Sequence, residues 1–568
     1  MRRQPSSVAS SARLHAWSWV VLGIAGVLFG YGMTADLPFS RLGIEQEHIQ
    51  LALKCGTGDL NPHFFIHPPL LSYVLFVFYG AAYVIGRALG WIPSLAAFER
   101  LYFTDPTVFY LIARAFMWLM AMGSVVLFHR IARRLFDERT ALIATALMAF
   151  APELVRWAHY AVPTVFMLCL FMASVWCVVR IFQDGGGWRE YLAAGFLGGL
   201  ATAAKYDGAL MLFPLLTAHI LAPRGPQSRR WWQDPRLWGA LACMGLAYAL
   251  GAWYTIVDIR RFSRDWKFLY DTVAYGALTA PGSRITKPGW LFIFLDVLPF
   301  GWSMPLTVLG IAGVIHALIR RSRRDLLFLG MIGFILVYMS RWQLINSRYF
   351  VQVAPFMILL GVDWLMGVVR ALRPSWWRGA VVTAIFAVLF AAPLAKSMAF
   401  LDRVAQLPPA RQAKTWIEAT LPAGTKIVTM ADLPIVPNAV SIQRQLEEIE
   451  RKQMGLGERL RRLLRHQSAF AATYDVIYLR FPSMGGYDPE DFDFAGQAQE
   501  GVRYFILDSS VDEYLAEPHN FPAQVRYIDQ VRQHCRLLQE FRGPWVDVVP
   551  PMRAREEYMQ IYELADRS

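Results

Sequence analysis

The stretch ADLPFSRLGIEQEHIQLALKCGTGDLNPHFFIHPPL, residues 35–70, follows an apolar run at 17–34 and leads into another at 69–90. It gathers Glu45, Glu47, His48, Asp59, Asn61, His63 and His67 between the two runs. Carboxylates at a water–lipid boundary are costly to desolvate, so a cluster there points to a task. The fold turns on the frame that surrounds this stretch.

The frame is apolar. The chain of 568 residues is 55% hydrophobic, 14% aromatic and only 17% charged, with a mean hydropathy of +0.33. Soluble proteins carry about a quarter charged residues, so the composition is that of an integral membrane protein. The net charge of +13 does not indicate nucleic acid, because the arginines sit in short clusters between apolar runs. That is how cytoplasmic loops of a polytopic protein read.

Apolar segments long enough to span, or nearly so, lie at 17–34, 69–90, 107–128, 141–152, 164–182, 189–204, 208–222, 237–257, 290–319, 326–340, 349–369 and 379–397. A crossing needs about 20 apolar residues, which makes 141–152 and 326–340 the shortest candidates. The basic connectors are RIARRLF (130–136), RGPQSRRWW (224–232), RRSRRD (320–325) and RALRPSWWR (370–378). All four fall on the cytoplasmic side only if one candidate does not cross. Pro68, Pro69 and the aromatics Tyr73, Phe76, Phe78, Tyr79 and Tyr83 suit an in-plane helix at 69–90.

About eleven spans then remain. Residues 1–16 form a cytoplasmic N-terminus, and the arginines ahead of 17–34 suit a retained first span rather than a cleaved leader. The membrane part covers 17–397, with a large first outer loop at 35–106. The outer face also receives 152–163, 205–207, 258–289, 341–348 and everything after about 398.

From 398 to 568 the charge rises and the apolar runs shorten. KIVTM (426–430), YDVIYLRF (474–481), VRYFILD (502–508) and MQIYEL (559–564) read as strands, and 441–468 and 522–541 read as helices. This predicts an outer α/β domain at 398–568. Cys169, Cys177 and Cys243 lie in apolar runs as packing residues, while Cys55 and Cys535 face outside, as a pair or as two free thiols.

Within the first loop, Glu45 or Glu47 can serve as a general base toward an acceptor hydroxyl. Ordinary solvated carboxylates on a short amphipathic helix are the plainer reading. Gly56, Gly58 and the prolines shape 56–71 as a loop, and Asp59, His63 and His67 could hold a divalent metal. Arg114 lies inside the run 107–128. Lys205–Tyr206 ends another run, and Arg341 and Arg348 bracket RWQLINSR. Four cations from separate spans facing one side would make a cradle for phosphate, unless each reaches the interface alone.

GTGDLNPHFFIHPPLL (56–71), then GSVVLFHRIARRLFDERTALIATALMAFAPELVRWAHYAVP (123–163), GLATAAKYDGALMLFPLL (199–216) and SRYFVQVAPFMILLG (347–361) resemble bacterial GT-C glycosyltransferases. The resemblance is to the protein mannosyltransferase/aminoarabinose transferase superfamily and covers about 30–370. It implies a bundle of spans with interfacial helices in the first outer loop. It also implies transfer of one sugar from a polyprenyl-phosphate carrier to a glycan, lipid or protein hydroxyl, on the outer face of a bacterial cytoplasmic membrane.

Carried over by motif, Glu45 or Glu47 stands at the first acidic position. Lys205, Tyr206, Arg348 and Tyr349 match the KY and RY pairs near the carrier phosphate. Two departures stand out. The family's first acid is an Asp, where this chain reads IEQE (44–47), and its second acid is Thr164 here. A lipid-linked-sugar flippase and a catalytically inactive scaffold are the alternative functions. The flippase is disfavoured by the lack of an internal repeat.

Overall fold

A computed structural model describes residues 5–38, 43–223, 230–275, 285–373, 376–431, 433–451, 457–479, 489–546 and 555–565. Most of the basic connector 224–232, residues 276–284 of the loop 258–289, 452–456 of the expected helix 441–468, and 480–481 of the second expected strand lie outside the described residues.

The chain is mostly helical up to residue 420. It opens with α1 (Pro5–Gly30), α2 (Gly43–Cys55), α3 (Leu70–Ala88), α4 (Leu95–Thr104) and α5 (Thr107–Leu135). Next come α6 (Glu138–Ala149), α7 (Pro152–Ala158), α8 (Pro163–Asp184) and α9 (Trp188–Ala204). Local chemistry sets these limits. Asp137 caps α6 by accepting the Thr140 N–H, and Pro163 opens α8, which closes on Gly185 at φ +80°. The α6 and α7 axes bend 57° apart, which lays a short buried helix in the segment 152–163.

Among the described residues, five helices are long and apolar enough to cross a membrane by length and composition, or six if the bent pair counts as one. These five include Leu70–Ala88, expected to lie in plane, as well as Thr107–Leu135, Pro163–Asp184 and Ala354–Ala371. Shorter apolar helices occur at Leu14–Gly30, Tyr206–Leu221, Gly289–Trp302 and Met304–Arg320. The single span expected at 290–319 is two pieces: Ser303 adopts φ +70°, between Trp302 and the helix Met304–Arg320.

Backbones approach closely where α9 crosses the helix Pro235–Gly251. A Cβ on Gly195 would stand 2.1 Å from the Ala240 carbonyl oxygen, and one on Gly199 would stand 2.2 Å from that of Met244. Two glycines four residues apart on one face are what this contact requires.

The C-terminal part contains a five-stranded sheet in the order β2-β1-β3-β5-β4. The strands are β1 (Lys426–Thr429), β2 (Asp475–Tyr478), β3 (Tyr504–Asp508), β4 (Cys535–Val546) and β5 (Arg555–Leu564). The first three run parallel, and β5 is antiparallel to both β3 and β4. Alternate residues serve opposite faces: Val428, Phe505 and Leu507 pack with Tyr527, Ile528 and Val531. Ile427, Val476 and Ile506 pack with Ala413 and Ile417.

The helix expected over 522–541 ends at His534, and residues 535–546 are β4. Leu537 and Leu538 fit a helical spacing, but this run pairs with β5, Cys535 opposite Leu564 and Phe541 opposite Met559. Short apolar runs do not separate the two periods. The expected helix 441–468 is also divided, into Ala439–Arg451 and Glu458–Arg465, the latter capped by Gly457.

Candidate active site

Glu45 and Arg114 hold each other. Arg114 Nε and Nη2 donate to Glu45 Oε1 and Oε2 at 2.8 Å each, and Nη1 donates to the carbonyls of Met33 and Ala35 at 2.9 Å. The Ala161 N–H adds a 2.9 Å bond to Glu45 Oε1. The side chains are 0% and 2% exposed, and Tyr110 and Tyr160 flank the guanidinium. A bidentate, charge-assisted pair of this kind is a fastener. It ties the end of α1, α2, α5 and the turn after α7 together. Glu45, expected either as a general base or as a solvated carboxylate, and Arg114, expected near the donor phosphate, are instead found paired with each other and buried.

Glu47 differs. Its Oε1 is buried with no hydrogen-bond partner among the described residues. Burial pushes its carboxyl up from 4.5 to about 8, because a low-dielectric environment disfavours the charged form. The next residue, His48, is buried; its Nδ1 stands 3.4 Å from the Ser72 hydroxyl, and its Nε2 has no partner among the described residues. Burial lowers His48 to about 4. Its ring lies 5.4 Å from that of His67. His67 is held well below its ordinary value by burial, then by the charges of His48, Arg348 and Lys205.

Asp59, Asn61 and His63 form a separate knot. Asn61 N–H donates to Asp59 Oδ1 at 2.9 Å and His63 N–H to Asn61 Oδ1 at 3.0 Å, with His63 at φ +52°. His63 Nε2 lies 3.0 Å from Asp59 Oδ2, Lys54 Nζ 3.3 Å from it, and Asn61 Nδ2 donates to Asp258 at 3.0 Å. Burial works to raise Asp59, but the Asn61 N–H, Lys54 and His63 outweigh it and hold the carboxyl below its ordinary value. Among the described residues no group of three or more His, Cys, Asp and Glu could hold a metal ion. His67 turns to His48 instead, and the metal reading of Asp59, His63 and His67 is set aside.

Lys205 and Arg348 do converge. Lys205 caps the end of α9, is buried, and pairs with Asp207. Its Nζ lies 4.9 Å from the centre of the Tyr349 ring. Arg348 Cζ lies 5.7 Å from the same ring and 5.6 Å from Trp157. Arg348 forms no ion pair among the described residues, and its buried Nε has no hydrogen-bond partner. Tyr206 plays another part: its hydroxyl donates to the Phe65 carbonyl at 2.8 Å, and its ring packs on Phe262 and Trp266.

Three residues escaped the sequence reading. Trp157 Nε1 donates to Glu153 Oε1 at 2.6 Å. Glu153 is fully buried, with Oε2 3.6 Å from Arg156 Nη1, in space that a Cβ on Gly301 would take. Gln352 has both side-chain polar atoms buried without partners. Gln352 had a signal, a polar residue inside the apolar run 349–369, which in a membrane protein marks function by default. Cys55 and Cys535 are free and buried.

Residues 109–254 match the family model described as dolichyl-phosphate-mannose-protein mannosyltransferase. No curated protein matches the chain. Among solved structures, ArnT from Cupriavidus metallidurans in the apo state is similar at 16% identity and TM-score 0.51, over 96% of this chain and 98% of that one. The oligosaccharyltransferase of Archaeoglobus fulgidus, tethered with an acceptor peptide, is similar at 12% identity and TM-score 0.50, over 97% of this chain and 74% of that one. Part of the chain is thus similar to the dolichyl-phosphate-mannose-protein mannosyltransferase family, and the fold as a whole is similar to that of ArnT and of the archaeal oligosaccharyltransferase.

Proposed function

We propose that this chain transfers a sugar from a polyprenyl-phosphate carrier to an acceptor hydroxyl at the outer face of the cytoplasmic membrane, with inversion at the anomeric carbon. The observation that carries the reading is the pair Lys205 and Arg348, two cations on one aromatic ring, Arg348 with a buried donor unspent. A buried, unsatisfied guanidinium donor is costly, and an anionic ligand removes the cost. The matched family's own name carries a lipid-phosphate sugar as donor.

In this mechanism the bond between the anomeric carbon and the phosphate oxygen breaks while the acceptor oxygen attacks from the opposite face. Lys205 and Arg348 stabilise the charge that grows on the leaving polyprenyl phosphate. Glu47, whose buried Oε1 has no partner among the described residues, receives the acceptor proton. The environment that lifts Glu47 toward neutrality suits a base working near pH 7. His67 relates the two groups: its ring lies 5.4 Å from that of His48, the neighbour of Glu47 in the chain, and it feels the charges of Arg348 and Lys205. The eleven-span topology, with 398–568 outside as a separate α/β domain, belongs to the same proposal.

Purified protein incubated with a radiolabelled polyprenyl-phosphate sugar and a mixture of membrane glycolipids, glycans and proteins should release polyprenyl phosphate and label an acceptor. Movement of the intact lipid-linked sugar across vesicles, with no new glycosidic bond, would instead establish a flippase.

A further inference from the structure

A cavity of about 340 Å³ lies between α2, α3, α4 and the C-terminal helix Glu458–Arg465. Its size falls within the usual range for small-molecule sites. Leu53, Phe76, Tyr83, Leu95, Phe98 and Phe103 give it apolar walls, while Gln50, Lys54, Arg459 and Arg462 give it a basic rim. Leu95 is itself 59% exposed, and Val77, Val84 and Trp91 are exposed nearby on the outer side of α3 and the turn after it. The cavity thus opens beside an apolar surface of the kind that faces lipid.

The rim charges are unequal. Lys54 is held by Asp59 and the Asn61 carbonyl. Arg462 shares Glu99 with His466, at 3.2 and 3.7 Å, and His466 stacks on Phe103. Arg459 is exposed and leans on Tyr102, with no ion pair among the described residues. An apolar slot with an exposed guanidinium at its lip, hydrogen-bonded to Tyr102 but in no ion pair among the described residues, matches an acyl chain joined to an anionic headgroup.

We propose that this cavity binds one chain of an anionic phospholipid, whose headgroup phosphate pairs with Arg459. The lipid would staple the helix Glu458–Arg465 to α2 and α4. It would sit on the face of α2 that also carries Glu47, since residues 47, 50, 51 and 54 follow helical spacing. The inference is independent of glycosyl transfer.

Gly80 offers a clean plug, because it lines the cavity and a Cβ there meets nothing within 4 Å. The full-length protein, delipidated in detergent, is titrated with phosphatidylglycerol, phosphatidylcholine of the same chains, polyprenyl phosphate and inorganic phosphate, and bound lipid is read by native mass spectrometry. Phosphatidylglycerol should be retained in preference to phosphatidylcholine. Gly80→Phe should lose the adduct with unchanged thermal stability, and Arg459→Glu should lose the preference for the anionic lipid. Equal retention of the two phospholipids, retention undiminished by Gly80→Phe, or retention of polyprenyl phosphate in place of phosphatidylglycerol would each overturn the proposal.

Discussion

Arg114 grips Glu45 through two parallel hydrogen bonds of 2.8 Å, across 69 positions of sequence. Both groups are sealed from water, so neither can be removed alone without stranding the other. Loss of one partner of a buried pair costs about 3–5 kcal/mol, whereas replacing both by apolar groups is often near neutral. Glu45→Gln and Arg114→Met should each lower the thermal midpoint of the purified protein sharply, and the double variant Glu45→Met/Arg114→Met should regain most of it. Recovery of turnover in the double variant would fit a fastener. A folded double variant with no turnover would return Glu45 to the chemistry.

Glu47 makes the opposite prediction. Glu47→Gln should leave the fold intact and lower turnover about 10²–10⁴-fold, the usual contribution of a general base. Unchanged turnover in a folded variant would remove Glu47 from the mechanism.

The same group sets a pH dependence whose sign follows from its raised value, about 8 against 4.5. Between these values the folded chain holds a proton that the unfolded chain releases, so this contribution is complete below pH 4.5 and is lost as pH rises through 8. Turnover, which needs the carboxylate, should rise over the upper part of that window. Differential scanning of wild type and Glu47→Gln from pH 5 to 9 should show the variant gaining relative stability as pH rises; a constant gap would show that Glu47 is not buried in solution.

How much of this could be read in advance depends on whether the deciding contact is local. Strands such as Lys426–Thr429 and Tyr504–Asp508 stand out from their apolar residues and flanking turns. The apolar runs mark the long helices for the same reason. Glu45 and Arg114 were each visible as costly charges, but their partnership depends on how α2 lies against α5, which no spacing encodes. Residues 535–541 read as helix because their leucines satisfy either period until β5 pairs with them. Gln352 stayed hidden inside the apolar run 349–369, where polarity was a signal that went unweighed, and Glu153 in the connecting segment 152–163.

Packing offers a test that does not involve catalysis. Gly195→Leu or Gly199→Leu would drive a side chain into the backbone of the neighbouring helix Pro235–Gly251. Overpacking costs at least about 1–3 kcal/mol, and rigid backbone cannot yield as a side chain can. Both variants should show lower thermal midpoints, whereas Gly245→Ala, where a Cβ meets nothing within 4 Å, should match wild type. Equal behaviour of the three would mean that the two helices do not cross as closely as described.

Arg348 and Lys205 should divide the work of holding a phosphate differently. Arg348 has a buried donor without a partner, while Lys205 already answers to Asp207. A donor aimed at developing charge is worth about 10²–10³-fold in kcat, so Arg348→Met should lower kcat for donor cleavage by that order. Arg348→Lys restores the charge but not the planar fork and should recover only part of it. Lys205→Met should act as much on the donor's KM, because it removes a cation and also leaves Asp207 unpaired beside an incoming anion. The two losses should combine to less than their product if both cations contact one phosphate, since neighbours sharing a ligand are not independent. Full multiplication of the two effects would place them on different groups and would break the proposed cradle.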